Sequence, residues 1–147
     1  MAINTAPVFS IIGDQSSDNA TAMAPTFTTA AADYDGTTAT HNKLVWTADS
    51  ADGGFIQRLR FKAKGTNTAS VARVFINNGS TNATASNNSF YGELSLPATT
   101  AIATAATVEI DYPMNFALKP GFRVYVGLGT TVSAGWVCTG IGGQYSA

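Results

Sequence analysis

From residue 43 onward the chain repeats one pattern, in which short runs of alternating apolar and polar residues are separated by clusters of Gly, Pro, Asn, Asp and Ser. Alternation of period two places successive side chains on opposite faces of a β-strand. The turn-forming clusters between such runs favour antiparallel connections. The predicted strands are 43–48, 54–64, 70–77, 88–96, 106–112, 115–118, 122–128 and 135–141.

The Ala-rich stretches do not predict helices, because β-branched Thr interrupts them and no apolar stripe recurs at helical spacing. We therefore predict an all-β fold, an antiparallel β-sandwich, with the jelly roll as the expected topology. A chain of 147 residues suits one domain, and we assign residues 43–147 to the sandwich. Residues 1–42 contain few large apolar side chains. Two interpretations of them stay open: an extended N-terminal arm that orders on another surface, or edge strands of the same domain.

Alternation also predicts which face of each strand is buried. The residues expected to face the core are Phe90, Leu94 and Leu96; Val108, Ile110 and Tyr112; and Phe122, Val124, Val126 and Leu128. The residues expected on the opposite faces are Tyr91, Glu93, Glu109, Asp111, Arg123 and Tyr125. Pro113 and Pro120 indicate strand ends or edges, because proline cannot donate to a sheet ladder.

Positive charge is concentrated in one stretch of a chain that has only eight Lys and Arg. Arg58, Arg60, Lys62 and Lys64 occupy alternate positions of the strand 54–64, and Arg73 lies in the next strand. We expect these two strands to form a hairpin with an even loop. That parity would bury Leu59, Phe61 and Ala63 together with Ala72, Val74 and Ile76, and it would place all five cations on one outer face. The five cations are the candidate partner-binding residues.

Like charges that face each other in a sheet repel by roughly 0.2–1 kcal/mol per pair, so carboxylates should lie nearby. Two sources stay open at this point. Glu93, Glu109 and Asp111 could form surface ion pairs within the chain, or a partner could supply an acidic surface.

The overall charge is −1 and charged residues make up 12% of the chain, which argues against a general nucleic-acid binder. No apolar run approaches the ~20 residues that span a bilayer, so we expect no membrane partner. The start of the sequence lacks the charged and apolar regions of a signal peptide, and a single cysteine excludes an internal disulfide framework. We expect synthesis in a reducing cytoplasm.

Catalytic motifs are absent from the sequence. His41 and Cys138 are the only residues of their types, so one chain cannot assemble a clustered His/Cys zinc site or a Cys–His pair. Neither a phosphate-binding loop nor a nucleophile elbow occurs. The Asp-Gly stretches at 33–36 and 49–54 fit turns better than calcium loops. We therefore expect a protein that is not an enzyme and needs no cofactor or metal.

Trp46, Trp136, Tyr91 and Tyr125 suggest a rival function, because aromatic faces on a β-sandwich can stack against sugar rings. We expect both tryptophans in the core or at a subunit interface. Two exposed, roughly coplanar rings would instead favour a carbohydrate-binding module.

The stretch "RLRFKAKGTNTASVARVFINNGSTN" resembles a hairpin of small structural proteins encoded by tailed bacteriophages. The opening "MAINTAP" and the later "ALKPGFRVYVGLGTT" are similar to the start and the penultimate strand of those proteins. Size, β-sandwich pattern and the Ala-, Thr-, Gly- and Asn-rich surface look most like capsid decoration, or cement, proteins. The sparse N-terminal segment departs from that pattern.

The resemblance implies a virion protein that binds the major capsid protein on the outer shell, stabilises contacts between capsid subunits and forms a homotrimer. A phage tail or head-fibre adhesin and a carbohydrate-binding module are the alternatives.

Overall fold

The computed structural model describes residues 11–12 and 24–145. Their strands are β1 (Ile11–Ile12), β2 (Thr26–Phe27), β3 (Lys43–Thr47), β4 (Gly54–Ala63), β5 (Ser70–Asn77), β6 (Asn88–Leu96), β7 (Glu109–Leu118), β8 (Arg123–Leu128) and β9 (Trp136–Gln144). A short 3-10 turn, Ala85–Asn87, precedes β6. None of the described residues forms a helix long and apolar enough to cross a bilayer.

The strands form two sheets, and every pair of neighbouring strands is antiparallel. The first sheet has the order β1-β9-β4-β7, with β2 also pairing with β9, and the second has the order β3-β8-β5-β6. The predicted all-β, antiparallel sandwich is confirmed. This strand order is compatible with a jelly roll.

The core lies between the two sheets. Its largest fully buried side chains include Trp46, Phe61 and Trp136, and each buried large side chain contributes roughly 1.5–3 kcal/mol relative to exposure. Both tryptophans therefore lie in the core, which is one of the two locations expected from the sequence, and neither ring faces solvent.

The predicted hairpin of β4 and β5 is wrong, because the two strands belong to different sheets. The connection 64–69 crosses from one sheet to the other, and buried Asn67 holds it in place. Its amide donates to the carbonyls of Gly65 at 3.2 Å and Gly135 at 3.1 Å, and its oxygen accepts from the amide of Gly135 at 2.7 Å. The predicted core faces still meet, because Phe61 and Val74 approach from opposite sheets.

A β-bulge overturns the predicted orientation of Phe90. In β6, Gly92 pairs with Val74 and Phe90 pairs with Phe75, so Tyr91 is the extra residue. Phe90 therefore lies on the outer face, where it is 41% exposed and its ring centroid is 5.6 Å from that of Phe75. Alternation cannot reveal such an inserted residue.

Two further predictions of burial need correction. Val108 was expected in the core, but it lies before β7 and is 36% exposed. Tyr125 does point to the outer face, yet it is buried there in a small second cluster with Leu44 and Phe75. Ile110, Tyr112 and Phe122 are half-buried against the main core.

The strands predicted at 106–112 and 115–118 are one strand, β7, which continues through Pro113.

The described part of the N-terminal segment lies on both sheets. β1 and β2 pair with β9 at the edge of the first sheet, and Phe27 enters the core. Farther along, Gly36 lies directly against the ring of Phe75 on the outer face of the second sheet. Residues 1–10 and 13–23 of the predicted arm lie outside the described residues.

Candidate functional site

The outer face of the first sheet carries a ladder of opposite charges, which we call the charge ladder: Arg58, Arg60, Lys62, Glu109 and Asp111. The antiparallel register pairs Arg60 with Asp111 and Lys62 with Glu109. The Arg60 guanidinium donates to both carboxylate oxygens of Asp111, from Nε at 2.8 Å and from Nη2 at 3.0 Å. Lys62 Nζ lies 3.7 Å from a Glu109 oxygen.

The carboxylates that the sequence required are therefore supplied within the chain. Hydrogen bonding to Arg60, with the charges of Arg60 and Arg58, outweighs burial and lowers the pKa of Asp111. The same hydrogen bond and charge raise the pKa of Arg60. The paired side chains of Arg60, Lys62, Glu109 and Asp111 are 38–44% exposed, so each pair contributes only about 0–1 kcal/mol to stability.

The structure brings together only three of the five candidate cations. Lys64 follows the last residue of β4 and is exposed, and its side chain forms no ion pair with the described residues. Arg73 lies on the outer face of the other sheet, because β5 does not pair with β4. The prediction that all five cations share one face is wrong.

Arg73 clamps one part of the chain onto another. It is only 8% exposed, and its Nε donates to Glu93 at 3.0 Å. Nη1 donates to the carbonyls of Ala31 and Asp33, both at 3.2 Å, and the guanidinium carbon lies 3.9 Å from the ring centroid of Tyr34. Arg73 therefore fastens the segment before β3 to the second sheet.

An open cavity of about 330 Å³ lies at one end of the charge ladder and is lined by Gln57, Arg58, Asp111, Pro113 and Asn115. We call it the bulge pocket, because strand register shifts between Ile56 and Arg58 on both sides of β4. Neither Gln57 nor Asn115 stands out in the sequence pattern. Pro113, which interrupts an otherwise regular strand pattern, was the one available signal.

A smaller cavity of about 110 Å³ lies between β2 and β3 and includes Thr28, Thr40, His41 and Lys43 in its lining. The Lys43 and His41 side chains contact nearby backbone carbonyls. Lys43 Nζ donates to the carbonyl of Thr26 at 2.8 Å, and His41 Nδ1 lies 2.8 Å from the carbonyl oxygen of Ala30.

The turn carboxylate Asp49 and the thiol of Cys138, which were the other candidates for chemistry in the sequence, have structural positions. Asp49 Oδ1 accepts from the amides of Ala51 at 2.8 Å and Asp52 at 2.9 Å, which is the predicted turn chemistry. Within the described residues, no group of three His, Cys, Asp or Glu side chains could hold a metal ion. Cys138 is buried, and burial raises its pKa well above the ordinary value.

The aromatic residues do not form a flat platform. Tyr125 and the two tryptophans are buried. Tyr91 is 41% exposed, but its ring is inclined at 88° to Tyr112 and at 53° to Phe116. This arrangement favours a structural role for these rings over stacking on a sugar.

Comparisons with known proteins identify no relative: no family model, no curated protein and no solved structure matches the chain.

Proposed function

We propose that the chain is a non-enzymatic bacteriophage structural protein that binds the outer capsid shell and stabilises contacts between capsid subunits. The resemblance of its basic stretch to phage structural proteins supports the class. The single observation that carries the mode of action is a pair of exposed apolar side chains in the connection between β6 and β7. Ile102 is 56% exposed and Val108 is 36% exposed.

The connection that carries them ends at Glu109, the first residue of β7 and a member of the charge ladder. The Val108 carbonyl accepts from the amide of Ala63 at 3.0 Å, and the carbonyl of neighbouring Thr107 accepts from Lys62 Nζ at 2.9 Å. An apolar centre beside a polar rim is the usual anatomy of a protein interface. Charges already matched within the chain can approach a partner without leaving an unpaired charge, which would be costly.

The partner in this proposal is the major capsid protein, and the place of action is the virion surface. A ligand that binds the assembled lattice but not its separated subunits stabilises the assembly by mass action. Each copy therefore raises the free energy needed to dissociate the shell, without any catalytic step.

We infer a jelly-roll topology from the strand order, because β2-β9-β4-β7 facing β3-β8-β5-β6 is the arrangement of a folded pair of Greek keys. We also propose a homotrimer. A specific interface buries about 1,200–2,000 Å² in total, and a domain of this size gains more from several symmetric contacts than from one. Native mass spectrometry of the full chain should give three times the monomer mass, and a monomer at all concentrations would contradict the trimer.

The test of the function is reconstitution on capsids of the encoding phage, followed by electron cryomicroscopy. We expect many symmetric copies on the shell and a higher temperature of capsid dissociation. The variant Ile102→Ser/Val108→Ser should lower occupancy. The control Phe90→Ser, which removes an exposed ring from the other sheet, should not. Absence from the shell, or a few copies at the tail, would overturn the proposal and favour the adhesin.

A further inference from the structure

At the bulge pocket, the residue-by-residue pairing of β4 with β9 on one side and with β7 on the other is interrupted between Ile56 and Arg58. Gln57 of β4 has no counterpart in β9, since Ile56 pairs with Gly142 and Arg58 with Ile141. On the other side of β4, Ile56 pairs with Phe116 and Arg58 with Pro113, so two residues of β7 stand opposite Gln57. Bulges of this kind re-aim side chains and are over-represented at sheet edges and beside active sites. β7 is such an edge strand.

The backbone at this point is also unusual. Asn115 has a φ of 55°, and it is the one non-glycine residue with positive φ among the described residues. Asn enters this left-handed region more readily than most residues, yet the conformation still costs about 1 kcal/mol or more. Such conformations cluster at ligand sites, so the backbone of Asn115, which belongs to the same bulge, also favours a site here.

The lining groups offer both donors and acceptors to a ligand. Arg58 Nη1 donates to Gln57 Oε1 at 2.9 Å, which orients the two side chains together. Arg58 Nε is buried, lies 3.4 Å from Asp111 Oδ2 and makes no hydrogen bond. The side-chain amide of Asn115 makes no hydrogen bond within the described part of the chain, and Pro113 adds an apolar ring to the lining.

We propose that the bulge pocket binds a neutral saccharide through one pyranose ring. Planar guanidinium, amide and carboxylate groups present paired donors or acceptors, which match the adjacent hydroxyls of a sugar. The ring of Pro113 can pack against the C–H face of the sugar. Most of the accessible lining is apolar, which suits the C–H face of a sugar ring, and the opposite charges of Arg58 and Asp111 balance each other, which favours a neutral ligand.

This site shares Arg58 and Asp111 with the charge ladder, and it differs from the aromatic platform considered from the sequence. Its volume lies near the lower end of the roughly 300–1,000 Å³ range of small-molecule pockets. A shallow pocket that holds one sugar ring should bind weakly.

Saturation-transfer NMR on the full chain tests the proposal with the methyl glycosides of glucose, galactose and mannose, and with glucuronate. We expect saturation transfer to at least one neutral glycoside. Asn115→Gly keeps the left-handed backbone and removes the amide, so it should weaken binding roughly five- to tenfold. Arg58→Met should weaken binding at least as much.

The matched control is Lys64→Met, which also removes a cation from this stretch but lies outside the pocket, and it should leave binding unchanged. Thermal unfolding of each variant separates lost binding from lost fold, and Asn115→Gly keeps the test valid if Arg58→Met does not fold. No transfer to any neutral glycoside, transfer to glucuronate alone, or binding that Asn115→Gly does not weaken would overturn the assignment.

Discussion

Two arginines that look equivalent in the sequence have different tasks. Arg60 lies in the charge ladder, where its side chain is 38% exposed. Arg73 has a side-chain exposure of only 10% and hydrogen-bonds one carboxylate and two backbone carbonyls. Both alternate with apolar neighbours, so the pattern assigns each an outer face. What covers that face depends on segments distant in sequence, and periodicity carries no information about them.

Replacing each arginine with Met tests this difference. Arg73→Met should lower the free energy of unfolding by about 2–3 kcal/mol, because charge-assisted hydrogen bonds are lost and two carbonyls lose their donor. Arg60→Met should cost much less, since exposed pairs are screened by solvent. Urea unfolding followed by circular dichroism measures both. Equal losses would contradict the clamp.

Asp33 should make the protein sensitive to acid. Burial raises its pKa, but hydrogen bonds from Thr38 and Asn42 together outweigh burial, so the pKa lies below its ordinary value of 3.8. The unfolded chain therefore binds this proton more readily than the folded chain. The stability contributed by ionised Asp33 is complete above the unfolded pKa of about 3.9 and is lost as the pH falls through the folded pKa.

We therefore expect the difference in unfolding free energy between the natural chain and Asp33→Asn to be constant at higher pH. It should shrink as the pH falls below about 4. Urea unfolding of both proteins across an acid pH series measures the difference. A difference that stays constant throughout, or widens in acid, would contradict the role of Asp33.

At the scale of elements, the sequence predicts where strands lie better than how they pair. The bounds predicted for 70–77 and 88–96 coincide with β5 and β6. Alternation defines two faces for each strand but does not say which strand lies beside it. The connection 64–69 could turn back or cross the sandwich, and the hydrogen bonds of Asn67 that hold the crossing are long-range.

The candidate site could likewise be predicted only in part, because sequence alternation does not reveal how strands pair. The opposing charges of Arg60 and Asp111 could be anticipated, because one acidic and one basic strand were visible in the sequence. The bulge pocket could not be anticipated, because a bulge depends on the register of three strands. Its one trace in the sequence pattern is the isolated Pro113.

The pairing of β4 with β9 should depend on Gly142. A Cβ atom at this position would collide with the backbone carbonyl of Phe55, so Gly142→Ala must push the two strands apart. We expect a loss of about 1–3 kcal/mol in the free energy of unfolding, the usual cost of overpacking. In the control Gly129→Ala, the new Cβ would meet its nearest atom at 3.4 Å, so that variant should be almost neutral in thermal unfolding. Similar midpoints for the two variants would argue against the strand contact at Gly142.

At the scale of the whole molecule, the edges of the first sheet are poorly suited to adding another strand. β1 and β2 cover one edge by pairing with β9. The other edge, β7, contains Pro113 and the bulge at Asn115, and both features discourage strand addition. Contacts with a partner are therefore better made through the sheet face, where the charge ladder lies.

That arrangement predicts how capsid attachment should respond to charge. The charge ladder has three cations and two carboxylates, so an acidic capsid surface would be attracted by its small positive excess. Arg60→Gln/Lys62→Gln reverses the excess and should weaken attachment and flatten its salt dependence, because charges at an interface rim govern encounter and register. Glu109→Gln/Asp111→Asn enlarges the excess and should strengthen attachment at low salt while making it fall more steeply as salt is added.

Co-sedimentation with capsids across a salt series measures both variants, and thermal unfolding checks that each remains folded. Opposite shifts are expected from the two variants because their changes in charge are opposite. If both weaken attachment equally, the order of the paired side chains would matter and their net charge would not. If neither changes attachment at any salt concentration, the charge ladder is a solvated surface that takes no part in binding.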